Sequence, residues 1–108
     1  MHVVELEGQL DADTLAPLQD ALSALLAWGP CSIVLELSRL GFMDSTGMAV
    51  LFLIRNQLQA LGGHLVLAAP GPDLDRLLVR TGASRILPTF ATLPEALEAL
   101  EPPAPQGP

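Results

Sequence analysis

Residues 33–48 read IVLELSRLGFMDSTGM, and their pattern predicts a strand, a turn and the start of a helix. Residues 33–37 form an almost continuous apolar run with β-branched side chains, which is typical of a strand that is covered on both faces. A turn is expected next, and then a helix over residues 46–61 that Gly62-Gly63 ends. Its inner stripe is predicted to consist of Met48, Leu51, Ile54, Leu58 and Leu61. Strand, turn and helix in this order are the unit from which α/β sheets are built.

Three more strands and three more helices are predicted outside this stretch. The predicted strands are residues 3–8, residues 65–67 and a short segment that begins with Ile86-Leu87. The predicted helices are residues 14–28, residues 73–82 with Asp73 as N-cap, and a last helix that Thr92 and Glu95 open as a capping box. This alternation predicts an α/β fold with a mostly parallel, four-stranded sheet flanked by about four helices. The exposed face of the first strand indicates a sheet edge or an antiparallel partner.

The length of the chain, 108 residues, suits one domain with one hydrophobic core. We expect residues 1–100 to form that domain. Residues 101–108, EPPAPQGP, are rich in proline and almost free of apolar side chains, so they are predicted to be a disordered tail.

The charge of the chain disfavours several kinds of partner. The formal net charge is −7, with no lysine and five arginines that do not cluster, so direct binding of nucleic acid is not expected. An acidic surface also disfavours docking to anionic lipid. No apolar stretch approaches the roughly 20 residues of a membrane-spanning helix, and no secretory signal is visible. We therefore expect no membrane insertion and predict a cytoplasmic location.

The sequence offers little for catalysis or for metal binding. His2 and His64 lie at no metal-ligand spacing with each other or with Cys31, the single cysteine, which is predicted to be a small buried residue. Neither a P-loop nor a dinucleotide-binding fingerprint is present. A hydrolase nucleophile at Ser45 would need a glycine elbow and an oriented base, and neither is evident. We predict a protein that is not an enzyme, with no catalytic residue, no metal site and no cofactor.

Residues 41–48 are the candidate functional segment, because they leave the carboxyl end of a strand and enter a helix, where open α/β sheets usually build their sites. Asp44, Ser45 and Thr46 can each cap that helix, and capping alone is one interpretation. One cap needs only one side-chain oxygen, however, so three eligible residues in a row are a surplus. A phosphate on Ser45 would add a charge of about −1.5 to −2, which the helix N-terminus would stabilise and Asp44 would oppose.

The first half of the same helix is unusually apolar. It contains three apolar residues in addition to its predicted inner stripe, namely Val50, Phe52 and Leu53. Packing against a second helix is the favoured interpretation. The alternative is an exposed apolar patch beside Ser45, which would mark a docking surface.

Several segments resemble the STAS domain family, named for sulphate transporters and anti-sigma-factor antagonists. The resemblance covers residues 3–100. It is carried by residues 8–11 (GQLD), residues 33–38 (IVLELS, with glutamate where the family usually has aspartate), residues 42–48 (FMDSTGM), Gly62-Gly63 and Thr81-Gly82. The family signature is Asp-Ser-Ser/Thr-Gly-Leu, which this chain matches except for Met48. The resemblance implies a single STAS-like domain.

The resemblance also implies an anti-sigma-factor antagonist whose binding to an anti-sigma factor serine kinase is switched by phosphorylation, with an indirect effect on transcription. Ser45 would accept the phosphate, a phosphatase would remove it, and the unmodified protein would bind the kinase. The residues implied in partner binding are Asp11, Asp44, Thr46, Gly47 and Met48. Such a domain catalyses nothing and needs no cofactor.

Two alternatives stay open. A STAS subunit of a lipid-transport ATPase or of a stress-signalling assembly would use the same surface for constitutive docking, without phosphorylation. A small hydrolase that uses Ser45 is the other alternative. Antagonists of this family also usually carry a further strand before the one that ends near Gly8. Without that strand a sheet edge is unpaired, so a homodimer is one expected oligomeric state.

Overall fold

A computed structural model describes residues 1–29 and 31–100, so the predicted tail at residues 101–108 lies outside the described part of the chain. The elements, in chain order, are β1 (His2–Leu10), α1 (Leu15–Leu26), β2 (Ile33–Met43), α2 (Ser45–Ala60), β3 (Leu65–Ala68), α3 (Pro72–Arg80), α4 (Ala83–Ile86), β4 (Thr89–Phe90) and α5 (Leu93–Leu100). The predicted alternation of strands and helices is confirmed, and the described residues form five helices where about four were expected.

The four strands are parallel and lie in the order β1-β2-β3-β4, so each strand neighbours the next one along the chain. The predicted sheet is therefore confirmed, and β1 occupies one edge of it. The alternative of an antiparallel partner for β1 is wrong within the described residues, because β1 pairs in parallel with β2. Residues 33–36 of β2 also pair with β3, whereas its later residues pair with β1, as far as Met43 opposite Leu10.

Side chains of the sheet alternate between two hydrophobic clusters, one on each face. Ile33 and Leu35 belong to the larger cluster, which leucines of α1, α2 and α3 complete. Val34 points the other way, to a smaller cluster with Ala96 of α5. Cys31, predicted to be buried, is half-buried against the larger cluster. The described residues include no buried polar or charged side chain, so apolar burial holds this core together.

The second strand is longer than predicted, and its pairing with β1 is the reason. The turn expected after Leu37 is wrong, because β2 continues to Met43. Leu40 and Met43 are buried in this part of the strand. Its exposed residues are Ser38, Arg39, Gly41 and Phe42. A strand segment that is covered on one side only lacks the continuous apolar run by which its first part was predicted.

Two predicted boundaries near the end of the chain are also wrong. Ile86-Leu87, predicted to begin the fourth strand, instead end α4, where the N–H of Leu87 donates to the carbonyl oxygen of Ala83. Gly82, at φ +80°, allows the chain to turn from α3 into this extra helix. The N-cap of α3 is Gly71 and not Asp73, which lies in the first turn and interacts favourably with the helix dipole there.

The predicted inner stripe of α2 is confirmed at its centre. Leu51, Ile54 and Leu58 are buried, and Met48 is half-buried. Leu61 is 42% exposed because it lies beyond the last residue of the helix.

None of the helices in the described part of the chain combines the length and the apolar character that crossing a membrane requires.

Candidate functional site

The carboxyl ends of β1 and β2 lie side by side and bring two loops together. Leu10 and Met43, the last residues of these strands, are partners in the sheet. The backbone N–H of Asp44 donates a hydrogen bond to the carbonyl oxygen of Leu10 over 3.1 Å. Asp11 follows β1 directly, so Asp11 and Ser45 lie at the same edge of the sheet. We call this edge, with residues 11–14 and 44–48, the loop edge.

Asp44 is the N-cap of α2. Its carboxylate accepts a hydrogen bond from the N–H of Gly47 at 2.9 Å, and its carbonyl oxygen accepts one from the N–H of Met48 at 3.0 Å. One of the three residues that could cap the helix therefore does so. Ser45 and Thr46 are exposed in the first turn, and within the described residues neither hydroxyl bonds to another protein group. Both hydroxyls are accessible while the cap stays in place.

Gly47 brings the start of α2 into direct contact with the end of β1. The residue is buried, and a Cβ at this position would lie 2.8 Å from the carbonyl oxygen of Leu10 and 2.9 Å from its Cγ. A larger side chain would therefore push the helix away from the strand. The close contact fixes the position of Ser45 relative to the loop after β1.

Asp11 organises the loop between β1 and α1. Its carboxylate oxygen accepts hydrogen bonds from the backbone N–H groups of Asp13 at 3.0 Å and of Thr14 at 3.1 Å. The Thr14 hydroxyl donates to the carbonyl oxygen of Gln9 over 2.7 Å. Asp11 is half-buried, and these hydrogen bonds to its carboxylate hold the loop in a turn. The hydrogen bonds of Thr14 in this turn were not predicted, although aspartate and threonine three residues apart are a common signal for such a turn.

The outer face of α2 is partly apolar. Internal packing and exposure were the two interpretations of Val50, Phe52 and Leu53, and each is correct for some of these residues. Val50 and Phe52 are half-buried and pack against the larger cluster, so internal packing is confirmed for these two. Leu53 is 52% exposed, so internal packing is wrong for this residue. Leu53 lies eight residues after Ser45, which is about 12 Å along the helix axis.

An exposed aromatic side chain, which the sequence pattern did not predict, lies near the end of β2. Phe42 is 50% exposed and lines a groove of about 190 Å³. Leu77 and Arg80 of α3 form the opposite wall of this groove. Alternation alone does not predict this exposure, because Leu40, two residues earlier, is buried. The pairing with β1 shifts register between Leu40 and Phe42, and this shift depends on the neighbouring strand.

The histidines lie far from Ser45. His2 begins β1 and His64 precedes β3, so both are at the amino ends of the strands. Ser45 lies beyond the carboxyl end of β2, a strand of 11 residues, and such a strand spans about 36 Å. Neither histidine can act as a base for Ser45, which removes the geometric basis for the hydrolase alternative. The described residues also include no cluster of three or more histidine, cysteine, aspartate or glutamate side chains that could hold a metal ion.

These features define a class of protein: a small parallel α/β domain that presents two hydroxyls beside a helix cap, with no histidine within reach of them. The sequence profile of the STAS domain matches residues 1–96. The chain therefore belongs to the STAS domain family, as its resemblance implied.

Similar proteins include several antagonists of anti-sigma factors. The anti-sigma F factor antagonist of Paenibacillus polymyxa is 31% identical over 100 residues, which cover 92% of this chain and 86% of that protein. An anti-sigma factor antagonist from Mycobacterium paratuberculosis has a crystal structure that matches with a TM-score of 0.81 and 32% identity, over 91% of this chain and 83% of that chain.

The Bacillus cell fate determinant SpoIIAA is similar in two solved forms, both 26% identical to this chain. Its unphosphorylated form matches with a TM-score of 0.75 over 90% of this chain and 84% of its own. Its phosphorylated form matches with a TM-score of 0.68 over 92% of this chain and 89% of its own.

Proposed function

We propose that this chain is an anti-sigma factor antagonist that binds an anti-sigma factor through the loop edge and is released when Ser45 is phosphorylated. The observation that carries the proposal is the position of Ser45, whose hydroxyl is exposed one residue after the N-cap of α2. Support comes from similar proteins that are named anti-sigma factor antagonists and from SpoIIAA, which was solved in a phosphorylated and an unphosphorylated form.

The local structure is suited to carrying a phosphate without unfolding. A phosphate on Ser45 would lie at the N-terminus of α2, where the helix dipole and the first backbone N–H groups favour negative charge. Asp44 would repel it, yet the carboxylate of Asp44 is held by the N–H of Gly47 and continues to cap the helix. The modification therefore changes the charge of the surface much more than the stability of the domain.

The residues predicted to bind the partner divide into two groups under this proposal. Thr46 is exposed and Met48 is half-buried, so their side chains are able to touch a docked protein. Asp11, Asp44 and Gly47 act indirectly, because their contacts hold the two loops in position. The domain itself does no chemistry: the anti-sigma factor is the serine kinase, a separate phosphatase reverses the reaction, and all three meet in the cytoplasm.

The proposal is tested with the full chain and the serine kinase anti-sigma factor of its own organism. Incubation with ATP should add one phosphate to the wild-type chain, which peptide mass spectrometry should place on Ser45. In isothermal titration with the same kinase, S45D should bind about 100-fold more weakly than wild type, a difference of about 2.8 kcal/mol. S45A should bind within about threefold of wild type, because removal of a hydroxyl adds no charge.

The matched control is T46A, which removes the neighbouring exposed hydroxyl. It should still accept one phosphate, because Ser45 is intact. Equal affinity of S45D and S45A, or phosphorylation that persists in S45A, would contradict the proposal. A chain that binds its partner but never becomes phosphorylated would support the constitutive docking subunit instead.

The homodimer stays a prediction and is not needed for this function. The outer edge of β1 has no strand partner among the described residues. The β1–β2 pairing shifts register between Glu5 and Glu7 and again between Gly8 and Gln9, so the edge is irregular. Irregular edges with acidic side chains disfavour the addition of another strand. Light scattering at several concentrations decides between monomer and dimer.

A further inference from the structure

A cavity separate from the groove beside Phe42 lies at the opposite end of the sheet from Ser45. It has a volume of about 370 Å³ and is bounded by the second half of α2, the start of β3, α4 and the end of α5. Arg55, His64 and Arg85 are among its lining residues. The volume falls within the range of about 300–1,000 Å³ that is usual for small-molecule sites.

The charge of this cavity differs from that of the chain as a whole. The chain has 12 acidic residues and five arginines, yet two of those arginines and one of the two histidines line this one cavity. No aspartate or glutamate of the described residues lines it. Within the described part of the chain, the cavity is therefore a local basic site on an acidic protein.

The two arginines keep hydrogen-bonding capacity for a ligand. Elsewhere Arg39 faces Glu7 at 4.0 Å, and Arg76 pairs with Asp73. Arg55 bonds to the amide oxygen of its neighbour Asn56 and forms no ion pair within the described residues, and Arg85 forms none there either. Since a guanidinium carries five N–H donors, most of the donors of Arg55 remain for an anion.

The inner wall of the cavity is apolar. Val66 is buried, and Phe90 and Leu100, which pack against the same smaller cluster, are half-buried beside it. A free inorganic anion would make no use of this wall, whereas a ligand with an apolar body would bury surface against it. The cavity thus combines an apolar wall with basic side chains around it.

We propose that this cavity binds a small organic anion with an apolar body, such as a medium-chain carboxylate. The anionic group would bond to Arg55 and Arg85, and the apolar body would lie against Val66 and Phe90. The site does not depend on the proposed function, because Ser45 and the loop edge lie at the other end of the sheet.

The experiment is an NMR titration of the isotope-labelled full chain with octanoate, with 1-octanol as the uncharged probe of similar length and with inorganic phosphate as the probe without an apolar body. Octanoate should give saturable shifts at the amides of His64, Val66 and Phe90. Octanol and phosphate should each bind at least about fivefold more weakly, because each lacks one of the two contributions.

Three arginine variants test the role of charge. R85Q and R55Q should each weaken octanoate binding at least about fivefold. R80Q is the matched control, since Arg80 lies on α3 outside this cavity, and it should bind octanoate like wild type. Unchanged spectra of the variants without ligand show that they are folded. Equal binding of octanoate and octanol, equal binding of octanoate and phosphate, or no effect of R85Q and R55Q would overturn the proposal.

Discussion

The two halves of β2 differ although they belong to one strand. Residues 33–36 pair with β1 on one side and with β3 on the other, and Ile33, Val34 and Leu35 are fully buried. Residues 39–43 pair with β1, and Phe42 is 50% exposed. The first half joins both hydrophobic clusters, whereas the second half carries the chain outward to Asp44 and the loop edge.

Under the proposed function, this difference separates the residues that stabilise the domain from those that lead to the binding site, within a single strand. The pairing of β1 with β2 shifts register twice, between Glu5 and Glu7 and between Gly8 and Gln9. The second of these shifts lies beside the second half of β2. Such irregularities bend a strand and change the direction in which its end points. The loop edge therefore rests on a two-stranded extension of the sheet, and its charge can change with little effect on the first half.

The largest expected effect is a loss of stability at the centre of the first half. L35A removes a fully buried side chain from the larger cluster and should lower the free energy of unfolding by about 2–5 kcal/mol. The matched control is L53A, at a position that is 52% exposed, which should cost less than about 1 kcal/mol. Urea unfolding followed by circular dichroism measures both. If L35A and L53A lowered the free energy of unfolding equally, burial of the side chain would not explain the stability that Leu35 contributes.

A smaller effect is expected where the loop edge contacts β1. G47A places a Cβ 2.8 Å from the carbonyl oxygen of Leu10, and this overpacking should cost about 1–3 kcal/mol. The better helix propensity of alanine offsets at most about 1 kcal/mol of that cost. G41A is the matched control, since its Cβ would meet the carbonyl oxygen of Gly8 at an ordinary 3.6 Å. If G41A proves as destabilising as G47A, the contact with Leu10 is not what demands glycine.

The sequence predicted best where one local signal acts alone. The apolar run at residues 33–37 is part of a strand, and the helix predicted over residues 46–61 is α2, which ends one residue earlier, at Ala60. The N–H of Glu95 donates to the Thr92 hydroxyl at 3.2 Å, which confirms the predicted cap of the last helix. Periodicity and capping are properties of neighbouring residues, so they can be recognised without knowledge of the sheet.

The errors occur where distant residues decide. Ser38 and Arg39 look like part of a turn, yet they belong to β2 because β1 lies beside them. Ile86 looks like the start of a strand, yet it belongs to α4 because the chain turns at Gly82. In the candidate site, Asp44 and Ser45 could be singled out from their place before a helix. The contact of Gly47 with Leu10 and the exposure of Phe42 depend on which strands are neighbours, and the sequence does not state that order.

The smallest effect on stability is expected in the second half of β2, where a substitution should weaken partner binding instead. F42T keeps a residue that favours strands and removes an aromatic ring that is 50% exposed, so the free energy of unfolding should change by less than about 1 kcal/mol. Under the proposed function, the ring lies at the end of the strand that leads to Asp44 and Ser45 and contributes to docking. Binding of the serine kinase anti-sigma factor should then weaken about tenfold in isothermal titration. V79T, at a position on α3 that is 63% exposed and outside the groove, should leave the affinity unchanged. A loss of stability as large as that of L35A would place Phe42 in the core and would end the distinction between the two halves.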